Sequence, residues 1–294
     1  MQPKILGKMS FSEKEMYNKH MAKLKEESIT ITLEKEQIES WYVMFAIPCY
    51  DQQISESTFM SMIKTVMYFR DRGIKFAVST ITDSLISRAR NNIAAKFLAN
   101  SEFTHMMFID ADIGFEPEDI VKMLWQNKEV VTGSYPIKDI NWKKVKHDAV
   151  VNDIRYDELM TKSLRFVVNP VRHNEQTELM VDNGAIEIFD AGTGFMLIQR
   201  SCFEKLIEAY PHLKYNDDTG SLNKKEQEYT YAFFNSYIDS HRKRFLSEDY
   251  GFCRYWQDIG GKVWVDPNIN MTHLGRIKFT GNMLSYLQEI ANTE

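Results

Sequence analysis

The stretch 104–115, THMMFIDADIGF, is an apolar run that ends in two aspartates separated by one alanine. In an extended segment residues i and i+2 share a face, so Asp110 and Asp112 can point the same way. Two carboxylates so placed repel each other unless a cation joins them. Hard divalent ions such as Mg²⁺ and Mn²⁺ take oxygen ligands, typically one or two carboxylates together with substrate phosphates. The pair therefore suits a metal ion clamped between the protein and a diphosphate. Helix capping and a solvated turn suit it as well, and Asp-x-Asp alone does not choose between the readings.

Other residue types along the chain bear on the same chemistry. SLISRARNN (84–92) carries Arg88, Arg90 and Asn91, and the guanidinium fork binds two oxygens of a diphosphate or a carboxylate. Positions i and i+2 do not share a helical face, so one of the two arginines is expected to reach a ligand and the other to lie on a solvated face. Arg90, with Asn91, is the expected one. DAGTGFMLI (190–198) sets two glycines before an apolar run, which allows a close backbone approach to a ligand or simply a tight turn. SEDYGF (247–252) opens with Glu248 and Asp249, acids that favour a helix N-terminus and that Ser247 can cap. His273 stands in NINMTHLG, and a single histidine is more often structural than a ligand.

These residues need a frame to hold them. From Trp41 onward, strand-length apolar runs alternate with amphipathic helical segments. WYVMFAIP (41–48), IKFAVST (74–80), HMMFID (105–110) and EVVTGSY (129–135) read as strands. Segments 55–73, 84–100 and 116–127 read as helices; the first carries Phe59, Met62, Ile63, Val66 and Met67 at helical spacing, and the third has Pro117 in its first turn. Buried strands joined by helices imply an α/β fold with a mostly parallel, Rossmann-like central sheet flanked by helices. In such sheets ligands gather at the carboxyl ends of the strands, where Asp110 falls. The second half is less regular. It holds a short apolar piece at 164–171, the segment 186–200, a helix at 201–210, and a closing block (247–275) of helix, Gly-Gly turn, strand and His-bearing tail. Residues 1–40 lack Gly-rich or strand-like character through SFSEKEMYNKHMAKLKEES and are expected to form a helical extension, with Tyr17, Met21 and Leu24 on one stripe. Residues 41–294 are expected to form one domain.

Composition narrows the class. Of 294 residues, 44% are hydrophobic and 26% charged, an ordinary globular balance. No apolar run approaches the ~20 residues of a membrane helix, and no secretory leader is evident, so a cytoplasmic protein without a membrane span is expected. Cys49, Cys202 and Cys253 are odd in number and lack zinc spacing, which fits reduced thiols. The net charge of −5 gives no general affinity for polyanions.

DSLISRARN followed by THMMFIDADIGFEPEDIVKML and VVTGSYPIKDINW resembles glycosyltransferases of the GT-A fold, in particular small enzymes of phages and large algal viruses. It is distantly similar to the fungal mannosyltransferases that share an Ala-Arg-Asn helix before Asp-x-Asp. The likeness spans about residues 41–275. It implies a nucleotide-diphosphate sugar as donor and Mn²⁺ or Mg²⁺ as cofactor, held by Asp110, Asp112 and His273; imidazole favours manganese. Pro48, Cys49, Tyr50 and Asp51 would border the nucleotide base. Asp83 and Ser84 would open the helix that carries Arg88, Arg90 and Asn91. Asp190, Gly192, Thr193 and Gly194 would border the donor sugar. Asp249, or alternatively Glu248, would be the general base that takes the acceptor proton. The inverting outcome follows only from this resemblance.

Three functions compete on the sequence: a sugar-nucleotide-dependent glycosyltransferase, a sugar-1-phosphate nucleotidyltransferase, and a non-catalytic binding module. PCYDQQ lacks the Gly-rich, basic segment that cradles a triphosphate, and a binding module leaves the paired acids unexplained. The acceptor is expected to be a glycan or glycoconjugate. The alternative is hydroxymethylated pyrimidine in DNA, for which the basic clusters NWKKVKH (141–147) and HRKRF (241–245) speak.

Overall fold

A computed structural model describes residues 34–150, 180–240, 243–275 and 277–292, and within 151–179 only residues 155, 159, 161, 163–166, 168, 169 and 171. The proposed N-terminal extension thus lies mostly outside the described residues. Its last part forms α1 (Lys35–Ser40), whose Ile38 packs beneath the sheet.

The first half alternates as its patterning predicts: β1 (Tyr42–Pro48), α2 (Glu56–Arg72), β2 (Lys75–Ile81), α3 (Ile86–Ala99), β3 (His105–Ile109), a short β4 (Ile113–Gly114), α4 (Pro117–Gln126) and β5 (Val130–Gly133). Punctuation at the helix ends is local chemistry. Ser55 caps α2 by accepting the Thr58 N–H, and Gly73 closes it at φ 70°, where a side chain would be strained. Glu116 and Asp119 form a capping box around Pro117.

The second half adds β6 (Pro136–Ile140), α5 (Trp142–Val150), β7 (Leu164–Phe166), β8 (Val181–Asp182), β9 (Ala185–Ile188), β10 (Phe195–Gln199) and α6 (Arg200–Ala209). It ends with α7 (Lys224–Gln227), β11 (Tyr237–Asp239), β12 (Arg244–Leu246), α8 (Glu248–Asp258), β13 (Val263–Asp266), β14 (Thr272–Leu274), β15 (Lys278–Thr280) and α9 (Met283–Asn292).

The central sheet has the order β2-β1-β3-β10-β5-β13-β9-β8. It is mostly parallel, but β10 enters antiparallel between β3 and β5, and β9 runs antiparallel to β13. The mostly parallel sheet flanked by helices is the one expected, and these antiparallel strands are its exceptions. Side chains of β3 alternate between two cores: Met106 and Phe108 join one, Met107 and Ile109 the other. Both faces are covered, which explains the uninterrupted apolar run. One core receives α3, α6 and α8 through Phe97, Phe203 and Trp256; the other receives α2 and α4 through Phe69 and Leu124.

Helix α2 departs from its expected face. Thr58, Ser61, Met62, Thr65 and Phe69 are buried, while Phe59, Ile63 and Met67 are exposed. The small hydroxyl residues bring α2 close to the neighbouring chain: Ser61 Oγ donates to the Phe115 carbonyl at 2.6 Å and accepts the Phe115 N–H at 2.9 Å. Hydrogen bonding decides the face here, over hydrophobic periodicity. The three cysteines are free and buried, and no helix among the described residues is long and apolar enough to cross a membrane.

Candidate functional site

The antiparallel β10 is what assembles the site. Phe195 pairs with Ile109, so the start of β10 meets the end of β3, and the Asp110 N–H donates to the Gly194 carbonyl at 2.8 Å. The loop that precedes β10 is thereby delivered to the carboxyl end of the sheet beside the first aspartate. Helix α3 runs beneath and supplies Arg90, which is 4% exposed. Its Nη2 lies 3.1 Å from Asp110 Oδ1, its Nε 3.6 Å from Glu248 Oε1, and its Nη1 donates to the Thr193 carbonyl at 3.4 Å. Burial opposes the charge on Arg90, but Asp110 and Glu248 outweigh it and raise the guanidinium above its ordinary value. Three segments remote in sequence converge on one cation.

Asp112 belongs to a second group. Strand β14 pairs with β4, setting His273 opposite Ile113, and the Leu274 N–H donates to the Asp112 carbonyl at 2.8 Å. His273 Nε2 faces Asp112 Oδ1 at 3.5 Å while Nδ1 lies 2.8 Å from the Pro136 carbonyl. That carbonyl can only accept, so Nδ1 carries a proton; Nε2 donates to the carboxylate when the ring is protonated and presents a lone pair to it when the ring is neutral. A proton or a cation completes such a pair. Lys138 Nζ also binds Asp112 Oδ2. Burial raises the Asp112 carboxyl, and the bonds from His273 and Lys138 more than offset it, holding it below the usual range.

This donor set fits a divalent cation in part. Asp112 and His273 offer one oxygen and one nitrogen, and the backbone carbonyl on Nδ1 is the usual orienting partner of a metal-binding histidine. Asp110 is engaged by Arg90, and the described residues hold no group of three or more His, Cys, Asp or Glu side chains placed to bind a metal. Further ligands would come from substrate oxygens and water, as is common for Mg²⁺ and Mn²⁺.

Asp249 stands at the first turn of α8. Its Oδ1 accepts the Ser247 hydroxyl and the Tyr250 N–H, the latter at 2.8 Å. Its Oδ2 faces Gly192, where a Cβ would lie 3.7 Å away. Glu248 is raised by burial first and by Asp249 second, with Arg90 opposing. The two acids thus differ: Glu248 is turned to Arg90, and Asp249 keeps one oxygen toward the crevice.

Both glycines of the 190–194 loop lie against Tyr135. A Cβ on Gly192 or Gly194 would come within 2.5 Å of the Tyr135 hydroxyl, which accepts the Gly194 N–H at 3.1 Å. Close side-chain packing, with ordinary negative φ, is what these positions require. Thr193 is buried and its Oγ1 has no hydrogen-bond partner. Asp190 is an ion-pair hub, 3.1 Å from Arg254, 3.4 Å from Arg244 and 3.1 Å from the Asn169 amide. It is 2% exposed and anchors the loop from behind.

The remaining expected residues have other partners. Asn91 uses both ends of its amide on the Phe234 backbone, at 3.1 and 2.9 Å. Arg88 forms a two-pronged pair with Asp83, which this bond holds below the usual carboxylate range and which also accepts the Leu85 N–H. Ser84 lies exposed between them. Pro48 ends β1, Cys49 is buried and bonded through its N–H to Ile81, and Tyr50 and Asp51 are exposed, with Asp51 at φ 53°.

Tyr135 and Lys138 were not marked by the sequence reading. The signal for Tyr135 was its place in TGSY, just past the end of β5; nothing in the sequence pairs Lys138 with Asp112. Beside Asp249 lies a cavity of about 250 Å³ lined by Ser134, Tyr135, Ile137, Val168, Ile188 and Tyr250, among others.

No protein-family model matches the chain, and no curated protein does. Among solved structures, A197 from STIV is similar at a TM-score of 0.41 and 14% identity, over 82% of this chain and 94% of that one. So loose a likeness supports no inference about chemistry, which rests on the residues themselves.

Proposed function

We propose that the chain is a metal-dependent glycosyltransferase of GT-A type, moving a sugar from a nucleotide-diphosphate sugar to an acceptor hydroxyl. The observation that carries this reading is the convergence on Arg90 of Asp110, at the end of β3, and Glu248, at the start of α8. It puts the Asp-x-Asp end of the sheet and the acid pair of α8 at one crevice, with the 192–194 backbone between them.

The residues divide the work. Asp112 and His273 would hold Mn²⁺ or Mg²⁺, which when bound offsets the charge growing on the departing diphosphate. Arg90 keeps Asp110 and Glu248 fixed, so the crevice is preorganised rather than rearranged by its ligand. Asp249 Oδ2, with Oδ1 already anchored, takes the acceptor proton. The 192–194 backbone, which its glycines let pack against Tyr135, would border the donor sugar. A nucleotidyltransferase fits less well, because the turn at 49–53 offers no basic cradle for a triphosphate. A glycan or glycoconjugate acceptor is favoured over modified DNA. Arg244 and Lys144, in the two basic clusters, are paired with Asp190 and Asp148, and Arg242 lies outside the described residues.

Incubation with a panel of sugar nucleotides and Mn²⁺ tests the reading. Release of nucleoside diphosphate from one donor, abolished by chelator, is expected; no release from any donor sinks it.

A further inference from the structure

We propose that the cavity beside Asp249 is the acceptor subsite, and that it takes one uncharged pyranose ring, the terminal sugar of a glycan or glycoconjugate. This rests on the glycosyl-transfer reading and adds where the acceptor lies and which acceptors are refused.

Size sets the first limit. The cavity measures about 250 Å³, below the roughly 300–1,000 Å³ of pockets for drug-sized ligands. One ring fits and a disaccharide does not. The lining sets the second. Ile137, Val168 and Ile188 supply aliphatic side chains to the lining, and Tyr135 and Tyr250 line it as well. The C–H face of a pyranose packs on such walls, while its hydroxyls meet the Ser134 hydroxyl and the Asp249 carboxylate. A nucleobase is recognised through amide or guanidinium groups in the plane of its edge, and among the described residues no Asn, Gln, Arg or Lys lines this cavity.

Charge sets the third. Asp249 is the one acidic residue among the described residues that line the cavity, and none of these is Lys, Arg or His. Burial and the neighbouring acids Asp190 and Asp249 push the Tyr250 phenol up to about 12, so it stays neutral. A uronic acid or sialic acid would set its carboxylate against Asp249 with no cation to compensate. Gly192 lines the cavity, and without a Cβ it packs against the Tyr135 hydroxyl with Asp249 Oδ2 alongside. At this edge of the cavity the acceptor oxygen meets the donor. Its proton passes to Asp249, and the oxygen bonds the anomeric carbon. The anomeric bond to the diphosphate breaks, its electron pair leaving on the nucleoside diphosphate.

The test is saturation-transfer NMR on the full chain without donor. The probes are methyl glucoside, mannoside and galactoside, methyl glucuronide, and 5-hydroxymethyldeoxycytidine. At least one neutral pyranoside should bind, with signals at least tenfold weaker from the glucuronide and the nucleoside. Val168→Phe and Ile137→Phe, each of which puts a ring into the cavity, should each abolish the signal. Thermal stabilisation by UDP or GDP with Mn²⁺ verifies that at least one variant is folded with its donor side intact. Binding of no neutral pyranoside, equal binding of glucuronide or nucleoside, or full binding in a folded variant overturns the proposal. If pyranosides bind as expected but no sugar nucleotide is turned over, the subsite stands as a sugar site and the glycosyl-transfer reading fails.

Discussion

Arg90 Nη2 stands 3.1 Å from Asp110 Oδ1, and the pair sits at the junction of α3, β3 and α8, the same guanidinium reaching Glu248 at 3.6 Å. A buried cation between two acids is worth little against an apolar replacement of the whole group. Removing the cation alone leaves two carboxylates with no compensation. Arg90→Met is expected to destabilise the fold by about 3–5 kcal/mol, and adding Asp110→Asn and Glu248→Gln should recover part of the loss. Urea denaturation of the single and triple variants measures this. A triple variant less stable than Arg90→Met would show that Arg90 acts by packing, through its place over the Phe108 ring.

The Tyr135 hydroxyl fixes which residues can stand at 192 and 194. Alanine at either position should cost about 1–3 kcal/mol by overpacking. The two differ in rescue by Tyr135→Phe. Without the hydroxyl, the nearest remaining atom at 192 is Cζ at 3.3 Å, whereas at 194 Cζ lies at 2.7 Å and Asp110 Oδ2 at 2.8 Å. Tyr135→Phe should therefore recover most of the loss in Gly192→Ala and little in Gly194→Ala. Melting temperatures of the two double variants decide the point.

The alternation of strands and helices through residue 133 was legible because both faces of the sheet are covered, and the apolar runs of β1 and β3 follow from that. The face of α2 was not legible, since Ser61 and Thr65 are buried by specific hydrogen bonds that periodicity does not encode. Nor was the insertion of β10, because strand order is set by long-range pairing. That insertion brings Gly194 to Asp110, so the expected juxtaposition of the glycine loop and the aspartates has a cause the sequence does not display. Asp190 and Asn91 show the converse limit. Their types suit a ligand site, yet Asp190 is held by Arg254 and Arg244, and Asn91 by the Phe234 backbone.

Buried His105 and half-buried Asp119 oppose each other in their effect on stability. Burial lowers His105 from 6.5 to about 4, so the unfolded chain binds this proton more readily and stability falls as pH drops from 6.5 toward 4. The cost is about 3 kcal/mol. Burial raises Asp119 from 3.8 to about 7, so the folded state holds this proton longer and stability falls as pH rises from 4 toward 7. The wild type should accordingly show little net slope from these groups between pH 4 and 6.5. Asp119→Asn should expose a stability that rises with pH, and His105→Gln one that falls. Denaturant midpoints across that window, giving the same slope in all three proteins, would refute the assignment.

Asp112 and His273 make a prediction independent of turnover. Nucleoside diphosphate should bind tightly only with Mn²⁺ or Mg²⁺ present, and His273→Ala should weaken the metal-dependent part by at least about tenfold. Lys138→Met removes the ammonium that competes for Asp112 and should strengthen Mn²⁺ binding in the absence of nucleotide. Calorimetry reads both. Equally tight nucleotide binding in excess chelator would remove the metal from this site.

Asp249 and Glu248 are adjacent, and the difference in their partners separates their roles. Asp249 Oδ1 is held by Ser247 and the Tyr250 N–H, leaving Oδ2 for an acceptor, whereas Glu248 faces Arg90. Asp249→Asn preserves size and the Tyr250 bond but cannot accept a proton. It should leave nucleoside-diphosphate binding unchanged and lower kcat at least about 100-fold. Glu248→Gln removes one charge from the Arg90 group, so its effect should fall on stability and donor affinity, with a smaller drop in kcat. Donor hydrolysis by water should suffer less than transfer in Asp249→Asn, because a base matters most when the attacking hydroxyl is held in place. Steady-state kinetics with calorimetric donor affinities distinguish the cases. If Glu248→Gln loses kcat as deeply as expected for Asp249→Asn while the latter changes only donor KM, the proton goes to Glu248, and Arg90 must release it during turnover.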